Sequence, residues 1–439
     1  MPRNYYMITM GCQMNEYDSD YLGQILMDLD YIHTDDPKNA DLILINTCTV
    51  RVKAEQKAFS ALGRMVSLKK RKPGLILGFL GCIAQQESSN LMKRFPELDL
   101  VLGTRAISRF KENLKRIEKG KEKIVDTDMG LLQSRSPLAS NGYFKNRIKS
   151  YISVMEGCNN FCSYCVVPYV RGKEISRPPE EILKEAEHLI SQGVKEITLL
   201  GQNVNSYHFG DKKEMRFPFL LKKLSVLDGL ARIRFTTSHP KDLSDELIHC
   251  FGELDNLCPH IHLPFQAGSD KILKLMNRGY TQKRYKELIK KLRHIRPAMA
   301  ITSDVIVGFP HESEEDFQMT LGLIKEIEFD NLFSFKYSDR KGTFAEKMGG
   351  KVDEKVKSSR LAILQQLQKE ITLKKNKMLE GTEVEILVEG DSKKGGQLTG
   401  RTDTNKIVNL SPNFRIINRL VKVKIKYSYV NSLWGELLE

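Results

Sequence analysis

Short apolar runs alternate with amphipathic segments over the first hundred or so residues. The runs YYMITM, DLILIN, GLILGFL and DLVLG have the length of buried strands and begin at residues 5, 41, 74 and 99. Between them lie segments with helical spacing, such as NEYDSDYLGQILMDLD and AEQKAFSALGRM. Continuous apolar strands separated by amphipathic helices are typical of a parallel sheet covered on both faces. The pattern therefore predicts a doubly wound, parallel-sheet α/β domain over residues 1–135.

The same alternation continues through six further strand–helix units. The candidate strands are residues 150–156, 196–201, 232–238, 260–265, 300–309 and 332–338. Six βα units predict a partial (β/α)6 barrel of the TIM kind, with its chemistry at the C-terminal ends of the strands. This domain is expected at 146–375, after a linker near 133–146 that is rich in Ser, Pro, Gly and Asn.

The chain changes character after a basic helix at roughly 355–380, in which Ile363, Leu364, Leu367 and Ile371 form an apolar stripe. Short strands and turns follow, and they predict a small closed β-barrel over 378–439. Small barrels of this kind often bind RNA, and a purely structural cap is the alternative.

Charge and composition narrow the class of protein. The 439 residues are enough for two or three domains, and the net charge is +14. This excess favours a polyanionic partner, although a solvated, Lys-rich surface accounts for it equally well. The N-terminal stretch MPRNYYMITMGCQ has no apolar core of signal-peptide length, and no run of 18 apolar residues occurs. A cytoplasmic protein without membrane contact is expected, in which cysteines are ligands or free thiols and not disulfides.

Three cysteines occupy equivalent places in the N-terminal pattern, since Cys12, Cys48 and Cys82 each follow the end of a predicted strand. In a doubly wound sheet those strand ends lie along one edge, where ligands bind. The three thiols are therefore predicted to share a site, against the alternative of three unrelated buried cysteines. Cys250 and Cys258 are expected to be structural.

A second group of cysteines, Cys158, Cys162 and Cys165, lies in the run EGCNNFCSYC, just after the first barrel strand. Three thiolates on a short loop can hold three irons of a 4Fe–4S cluster and leave the fourth iron open. An amino acid can chelate an open metal position, so the predicted fourth ligand is S-adenosylmethionine (SAM). A closed structural site completed by Cys258 or His262 is the alternative. The N-terminal cysteines repeat the arrangement and predict a second cluster with its own open iron.

The chain resembles the methylthiotransferases of the radical SAM superfamily. The CxxxCxxC spacing carries the superfamily resemblance, and the N-terminal cysteine domain and C-terminal β-domain, which resembles a TRAM module, narrow it further. The matching stretches span nearly all of the chain: GCQMNEYDSD, NTCTVRVKAEQKAFSALGR, LGCIAQQ, EGCNNFCSYCVVPYVRG, LLGQNVNSY, RIRFTTSHP, HLPFQAGSDKILKLMNRGYT, SDVIVGFP and QLTGRT. His311, Lys341 and Phe344 depart from the family pattern, on loops that contain none of the cysteines.

The resemblance implies two 4Fe–4S clusters, with SAM both as radical source and as methyl donor. It implies that the cluster on EGCNNFCSYC cleaves SAM to a radical, which removes hydrogen from carbon 2 of isopentenyladenosine beside the anticodon. A sulfur methylated at the N-terminal cluster then joins that carbon. No catalytic side chain is assigned. The candidates for contact with the cofactor or base follow barrel strands: Gln202, Asn203, Ser238, His239, Gln266 and Arg278. Tyr164 is a further candidate, against the cofactor's adenine.

The partners implied are a tRNA anticodon stem-loop and an electron donor such as flavodoxin or ferredoxin, with the enzyme a monomer. The stretches LLGQNVNSY and MNEYDS favour the isopentenyladenosine enzyme over relatives that modify a ribosomal-protein aspartate or threonylcarbamoyladenosine in tRNA. A non-catalytic RNA-binding metalloprotein whose cysteines hold zinc is the alternative from another class.

Overall fold

The N-terminal part of the computed structural model is a six-stranded parallel sheet. The structure describes residues 3–49, 52–120, 122–130, 142–145, 147–210, 215–392 and 395–438. The strands are β1 (Arg3–Thr9), β2 (Tyr31–His33), β3 (Leu42–Thr47), β4 (Ile76–Gly81), β5 (Leu100–Leu102) and β6 (Ile124–Asp126). Their order is β2-β1-β3-β4-β5-β6, and all neighbouring pairs are parallel.

Helices cover both faces of this sheet, so the doubly wound prediction is confirmed. They are α1 (Gln13–Asp28), α2 (Val52–Arg71), α3 (Cys82–Glu87), α4 (Ser89–Arg94) and α5 (Phe110–Gly120). Leu44 of β3 packs with Leu22 of α1 on one face, whereas Ile43 packs with Leu62 of α2 on the other. The two cores are separate because successive side chains of a strand point to opposite faces.

The sequence pattern misses the two outermost strands, β2 and β6. Each has three residues, of which one is buried, Tyr31 in β2 and Ile124 in β6. A short edge strand exposes most of its side chains and therefore lacks the continuous apolar run of a central strand.

Six parallel strands form the wall of the central barrel, in two groups ordered β7-β10-β11 and β12-β13-β14. A parallel bridge between Ile233 and Leu257 links the groups. The strands of this region are β7 (Lys149–Ser153), β8 (Met155–Glu156), β9 (Ile175–Ser176), β10 (Glu196–Leu200), β11 (Arg232–Phe235), β12 (His260–His262), β13 (Ala300–Val307) and β14 (Asn331–Lys336). The six predicted barrel strands are present, but the first one ends at Ser153, and β8 pairs instead with β9.

The helices of the central region cover the outside of the barrel or follow its loops. They are α6 (Val167–Arg171), α7 (Pro179–Ser191), α8 (Phe217–Ser225), α9 (Asp245–Glu253), α10 (Asp270–Leu275), α11 (Gln282–Ile295), α12 (Glu314–Ile327) and α13 (Glu354–Lys377). In the basic helix α13, Leu364 and Ile371 are buried and Leu367 is partly buried, but Ile363 is 50% exposed. Ile363 therefore lies outside the predicted apolar stripe, because one residue along a helix turns the side chain by about 100°. The predicted linker falls mostly at 131–141 and 146, outside the described residues.

The C-terminal part is a closed five-stranded barrel, ordered β15-β16-β17-β19-β18. Its strands are β15 (Glu383–Asp391), β16 (Leu398–Thr402), β17 (Ile407–Leu410), β18 (Leu420–Ser428) and β19 (Leu433–Leu437). The small closed β-barrel predicted from the sequence is thus confirmed.

Both outer parts contact the central barrel. The guanidinium of Arg234, on β11, donates hydrogen bonds to the carbonyls of Thr402 and Asp403, each at 2.7 Å. The N-terminal part contacts the barrel just before β7, where Arg147 donates to Asp20 at 2.6 Å, and at α6, where the Thr104 hydroxyl donates to the Val170 carbonyl at 2.7 Å. Among the described residues, none of the helices combines the length and apolarity needed to span a membrane.

Candidate active site

Cys12, Cys48 and Cys82 meet at the carboxyl edge of the N-terminal sheet. Cys12 precedes α1, Cys48 directly follows β3, and Cys82 is the first residue of α3, directly after β4. The strand order reverses between β1 and β3, which is where doubly wound sheets bind ligands. The fold therefore brings together three thiols that lie far apart along the chain, as the sequence predicts.

Buried asparagines hold this edge in shape. The Asn15 amide donates to the Asn46 side chain and to the Thr47 carbonyl, each at 3.0 Å. Its oxygen accepts the backbone N–H of Cys12 at 3.2 Å and the Cys12 thiol at 3.3 Å. Gly11 has φ +146°, and a Cβ there would lie 2.3 Å from the Cβ of Cys48. The loop at Gly11 and the loop at Cys48 therefore approach each other so closely that a side chain at position 11 would clash, and the position requires glycine.

Hydrogen bonds among the three thiols shift their pKa values in opposite directions. Hydrogen bonding with Cys48 is the largest cause that lowers the pKa of Cys12, to about 6, and the charge of Arg171 adds to it against burial. The same two partners lower the pKa of Cys82. Hydrogen bonds to both neighbours raise the pKa of Cys48. Anionic sulfur is thus favoured at two of the three positions, which suits binding of a metal cation.

Cys158, Cys162 and Cys165 lie on the loop between β8 and α6. The Cys158 N–H donates to the Gly172 carbonyl at 3.1 Å, and the Cys165 N–H to the Cys162 carbonyl at 2.9 Å. Burial raises the pKa of Cys158, and it raises that of Cys165 to about 12. These thiols must lose their protons when they bind iron, so a nearby cation assists them.

Arg278 supplies that cation. Its Nη1 donates to the Sγ of Cys162 at 3.3 Å, and its Nη2 donates to the Pro264 carbonyl at 2.9 Å. Nη1 also lies 3.5 Å from the hydroxyl of Tyr164, whose ring meets that of Phe309 edge to face. The structure therefore places Arg278 against a cysteine of the second set.

Both cysteine sets line one cavity of about 800 Å³. The cavity runs from these loops through the barrel to residues 404–407 and 430–433 of the C-terminal barrel. Of the residues predicted to contact the cofactor or base, six line it: Tyr164, Gln202, Ser238, His239, Gln266 and Arg278. Asn203 is not among the described lining residues, and its amide donates to Asp242 at 2.7 Å instead.

Several buried polar groups on the cavity wall have no hydrogen-bond partner in the described part of the chain: Ser238 Oγ, His239 Nε2 and Gln266 Oε1. Buried polar atoms are normally paired, so these three are suited to a polar ligand. Gln266 also has φ +65°, a strained backbone for a non-glycine residue that often marks a functional site. The Gln202 side chain accepts the Gly157 N–H at 2.6 Å, which ties this wall to the cysteine loop.

His239 presents a hydrogen-bond donor to the cavity. Its Nδ1 accepts the backbone N–H of Lys241 at 3.1 Å, so the proton of the neutral ring is on Nε2. Burial, followed by the charges of Arg278 and Lys241, lowers the pKa of His239 to about 2. The imidazole is therefore neutral near pH 7.

The far end of the cavity has a different set of polar groups. His260 and His262 both approach the Thr302 hydroxyl, at 3.3 and 3.1 Å, and His262 Nε2 lies 3.5 Å from Asp304. The partners of His262 are therefore Thr302 and Asp304, and none of the cysteines is among them. Cys258 is buried and does not line the cavity in the described structure, and burial raises its pKa to about 12.

The donor sets fit iron–sulfur clusters. Each set has three sulfurs on the cavity wall and an arginine beside them, and cluster irons are held by thiolates. Among the described residues, no three His, Cys, Asp or Glu side chains converge closely enough for a single metal ion. A cluster does not require its ligands to converge on one point, because each thiolate binds a different iron.

Sequence reasoning overlooked Arg171. This residue ends α6, lines the cavity and is 3% exposed. A signal was present, because the sequence places this arginine six residues after Cys165 in a short apolar segment, PYVRG, without an acidic neighbour. A buried arginine so close to a metal-binding run requires partners from elsewhere in the fold.

Comparison with known families matches three regions of the chain. A model described as the radical SAM superfamily matches residues 152–324, one described as uncharacterized protein family UPF0004 matches 4–103, and a TRAM domain model matches 377–438.

Relatives with similar sequences cover the whole chain. A protein of Syntrophus aciditrophicus named tRNA-2-methylthio-N(6)-dimethylallyladenosine synthase is 51% identical over 99% of this chain and 95% of its own length. Proteins of the same name from Syntrophobacter fumaroxidans and Geobacter sulfurreducens are 49% and 47% identical, over 100% and 99% of this chain and 96% and 97% of their own lengths.

Solved structures share the fold at low sequence identity. The radical S-adenosylmethionine methyltransferase TsrM of Kitasatospora setae is 16% identical with a TM-score of 0.57, over 76% of this chain and 75% of that protein. The radical enzyme OxsB is 12% identical with a TM-score of 0.52, over 84% of this chain and 56% of that protein. These two likenesses concern the fold alone.

Proposed function

We propose a tRNA methylthiotransferase activity for this chain, which belongs to the family of the tRNA-2-methylthio-N(6)-dimethylallyladenosine synthases. The reaction adds a methylthio group to carbon 2 of isopentenyladenosine beside the anticodon. The relatives do not favour the alternatives of a ribosomal-protein aspartate, threonylcarbamoyladenosine or a non-catalytic metalloprotein. The observation that carries the proposal is that both cysteine sets open into one cavity of about 800 Å³.

Membership of the radical SAM superfamily implies a 4Fe–4S cluster and SAM. Cys158, Cys162 and Cys165 are the residues that would hold this cluster. When bound, the cluster and SAM supply a radical able to remove hydrogen from an unactivated carbon. The chain's own contribution is to bury Cys158 and Cys162 and to place the Arg278 cation against Cys162.

A second 4Fe–4S cluster on Cys12, Cys48 and Cys82 is the finer part of the proposal. These three residues would hold the cluster. With three protein thiolates it would supply an iron without a protein ligand, to which the sulfur atom that is transferred could bind. Because the two sets share a cavity, the sulfur and the substrate carbon can meet without passage through solvent.

Gln202, Ser238, Gln266 and Arg278 are proposed to contact SAM or the substrate base. The unpaired Ser238 hydroxyl and Gln266 oxygen support this proposal, and so does the unpaired donor of His239. Asn203 is proposed to act indirectly, because its bond to Asp242 orients the loop that carries Gln202. A polar ligand with both donors and acceptors, such as a nucleoside or an amino acid, satisfies this wall.

An RNA partner agrees with the surface of the molecule. The net charge is +14. Phe161, on the cysteine loop, and Tyr169, on α6, are 49% and 54% exposed, and their rings meet edge to face. Exposed aromatic rings stack on unpaired bases of RNA loops. A tRNA anticodon stem-loop is therefore the proposed partner, with the C-terminal barrel as an RNA-binding module. An electron donor such as flavodoxin or ferredoxin, a monomeric state and a cytoplasmic location complete the proposal.

Three domains are proposed, at 1–135, 146–375 and 378–439. Matches of separate family models to 4–103, 152–324 and 377–438 support this division.

Two measurements test the function. Protein purified without oxygen should contain about eight iron atoms per chain if both sites hold 4Fe–4S clusters. Nucleoside mass spectrometry of tRNA from a strain that lacks the gene should show isopentenyladenosine without the 2-methylthio group, and the wild-type gene should restore that group. Colourless protein that contains zinc, or unchanged tRNA in the deletion strain, would overturn the proposal.

A further inference from the structure

Arg171 connects the two cysteine sets through the helix that carries it. Helix α6 begins two residues after Cys165, and its residue Val170 packs with Cys82 of the other set. Arg171 ends this helix, and its charge acts on both Cys12 and Cys82. The short helix α6 therefore begins beside one set of cysteines and places the Arg171 guanidinium beside the other set.

The guanidinium is held by buried acidic groups. Nη2 of Arg171 donates to Asp18 at 3.1 Å, and the two side chains are 3% and 0% exposed. The buried carboxylate of Glu156 adds its negative charge. A buried ion pair of this kind fixes the orientation of a guanidinium more firmly than a surface pair does.

One donor of Arg171 is left over. Nη1 is buried and has no hydrogen-bond partner among the described residues, whereas a hydrogen bond between the Arg171 side chain and the Cys82 thiol helps to lower the pKa of Cys82. The donors of a buried arginine are normally paired, because a buried N–H without an acceptor loses its hydrogen bond to water and gains nothing in return. Since Arg171 lines the cavity beside Cys12 and Cys82, the missing acceptor belongs in the cysteine site.

We propose that Arg171 binds the anionic sulfur that is to be transferred, by donating a hydrogen bond from Nη1 to it. The acceptor is a hydrosulfide, persulfide or methanethiolate sulfur beside Cys12 and Cys82, and Asp18 aims the donor. This inference rests on the proposed second cluster and adds to it the group that recognises the sulfur.

The chemistry of the site favours sulfur over a larger anion. Nη1 is buried, so its acceptor must be a small group that can reach it within the cysteine site. Arginine is also weakly hydrated and always charged, which suits a soft anion beside the buried Cys82.

The test is a binding titration on the full-length chain with iron reconstituted without oxygen. Replacement of Cys158, Cys162 and Cys165 by alanine leaves only the N-terminal set, so the spectrum of one cluster is followed. Sodium hydrosulfide and sodium methanethiolate are the probes, and the shift of the electron paramagnetic resonance signal gives Kd. Arg171→Met and Arg171→Lys are compared with Arg105→Lys. Arg105 is a matched control because it is equally buried at the same interface, 7% exposed, but donates only to the carbonyls of Met129, Gly130 and Lys173.

Arg171→Met is expected to raise the Kd of both probes by about tenfold or more, and Arg171→Lys by less. Arg105→Lys is expected to leave both Kd values unchanged. Equal Kd values in Arg171→Met and the parent protein would overturn the inference. If Arg171→Met does not retain iron, the Kd values of Arg171→Lys and Arg105→Lys are compared instead. Equal values in these two variants would overturn the inference. Loss of iron in both Arg171 variants would instead assign Arg171 to cluster assembly and also overturn the inference. Absence of iron from the parent protein contradicts the second cluster itself, which is a separate failure.

Discussion

The guanidinium of Arg278 donates a hydrogen bond from Nη1 to the Sγ of Cys162 across 3.3 Å. The two residues are 116 positions apart in sequence, and the end of β12 brings them together, because Nη2 also binds the Pro264 carbonyl. Hydrogen bonds and positive charge at cluster sulfurs are among the factors that set cluster potentials. Arg278 therefore acts on the cysteine loop as well as on any ligand in the cavity.

Replacement of Arg278 by glutamine should lower the reduction potential of the cluster on Cys158, Cys162 and Cys165. The variant loses the charge that stabilises the more negative, reduced state, so 5′-deoxyadenosine formation should fall about tenfold, or ~1.4 kcal/mol. A redox titration followed by electron paramagnetic resonance measures the potential. Arg296→Gln is the control, since Arg296 donates to the Phe251 carbonyl outside the cavity. An unchanged potential in Arg278→Gln contradicts the prediction.

Substitutions in the two cysteine sets should affect different steps of the reaction. Cys158→Ala is expected to abolish cleavage of SAM, whereas Cys48→Ala is expected to leave cleavage in place and stop methylthiolation of tRNA. Cys250→Ala is the control, because Cys250, on α9, lies in the apolar core and is not among the described residues that line the cavity. 5′-Deoxyadenosine and methylthiolated nucleoside are measured in the same reaction. Full methylthiolation by Cys48→Ala would show that the second set is not required.

The Arg234 contacts should hold the C-terminal barrel in place. Arg234→Met removes two hydrogen bonds to the carbonyls of Thr402 and Asp403 and leaves Glu196, 4% exposed, without its partner. Breaking a buried pair costs about 3–5 kcal/mol, so limited proteolysis should release the C-terminal barrel faster and tRNA binding should weaken. Lys149→Met breaks the partly exposed pair with Glu389 and should cost less than about 1 kcal/mol. Equal proteolysis rates for the two variants would contradict this ranking.

The apolar pattern was enough to predict the central strands of each sheet, because a buried parallel strand is apolar along its whole length. It could not predict β2 and β6, which expose most of their side chains. The pattern also placed three cysteines at strand ends, and general rules for parallel sheets then predicted that they meet. Nothing local indicated that Asn203 turns to Asp242, or that Arg171 pairs with Asp18, since both partners come from distant parts of the chain.

His239 should make the stability of the cluster-free chain depend on pH. Its pKa is about 2 when folded and about 6.5 when unfolded, so below pH 6.5 the unfolded chain binds a proton that the folded chain does not. Stability due to this group is therefore constant above pH 6.5 and falls as the pH drops below it, by up to ~1.4 kcal/mol per pH unit. Urea unfolding at several pH values should show a smaller loss for His239→Asn than for the wild type. Parallel curves for the two proteins would contradict a neutral, buried imidazole.

Gly11→Ala should empty the N-terminal site without disturbing the other one. A Cβ at position 11 would lie 2.3 Å from the Cβ of Cys48 and 2.4 Å from the Asn15 oxygen, and φ +146° is unfavourable for alanine. Cys48 or Asn15 must move, so iron content should fall from about eight to about four atoms per chain, and SAM cleavage should persist. Gly63→Ala is the matched control, because the added methyl meets nothing within 4 Å in α2 and should stabilise the helix by up to about 1 kcal/mol. Full iron content in Gly11→Ala would show that the two loops can separate and still bind the cluster, and the close approach of Gly11 to Cys48 would then have no role in holding it.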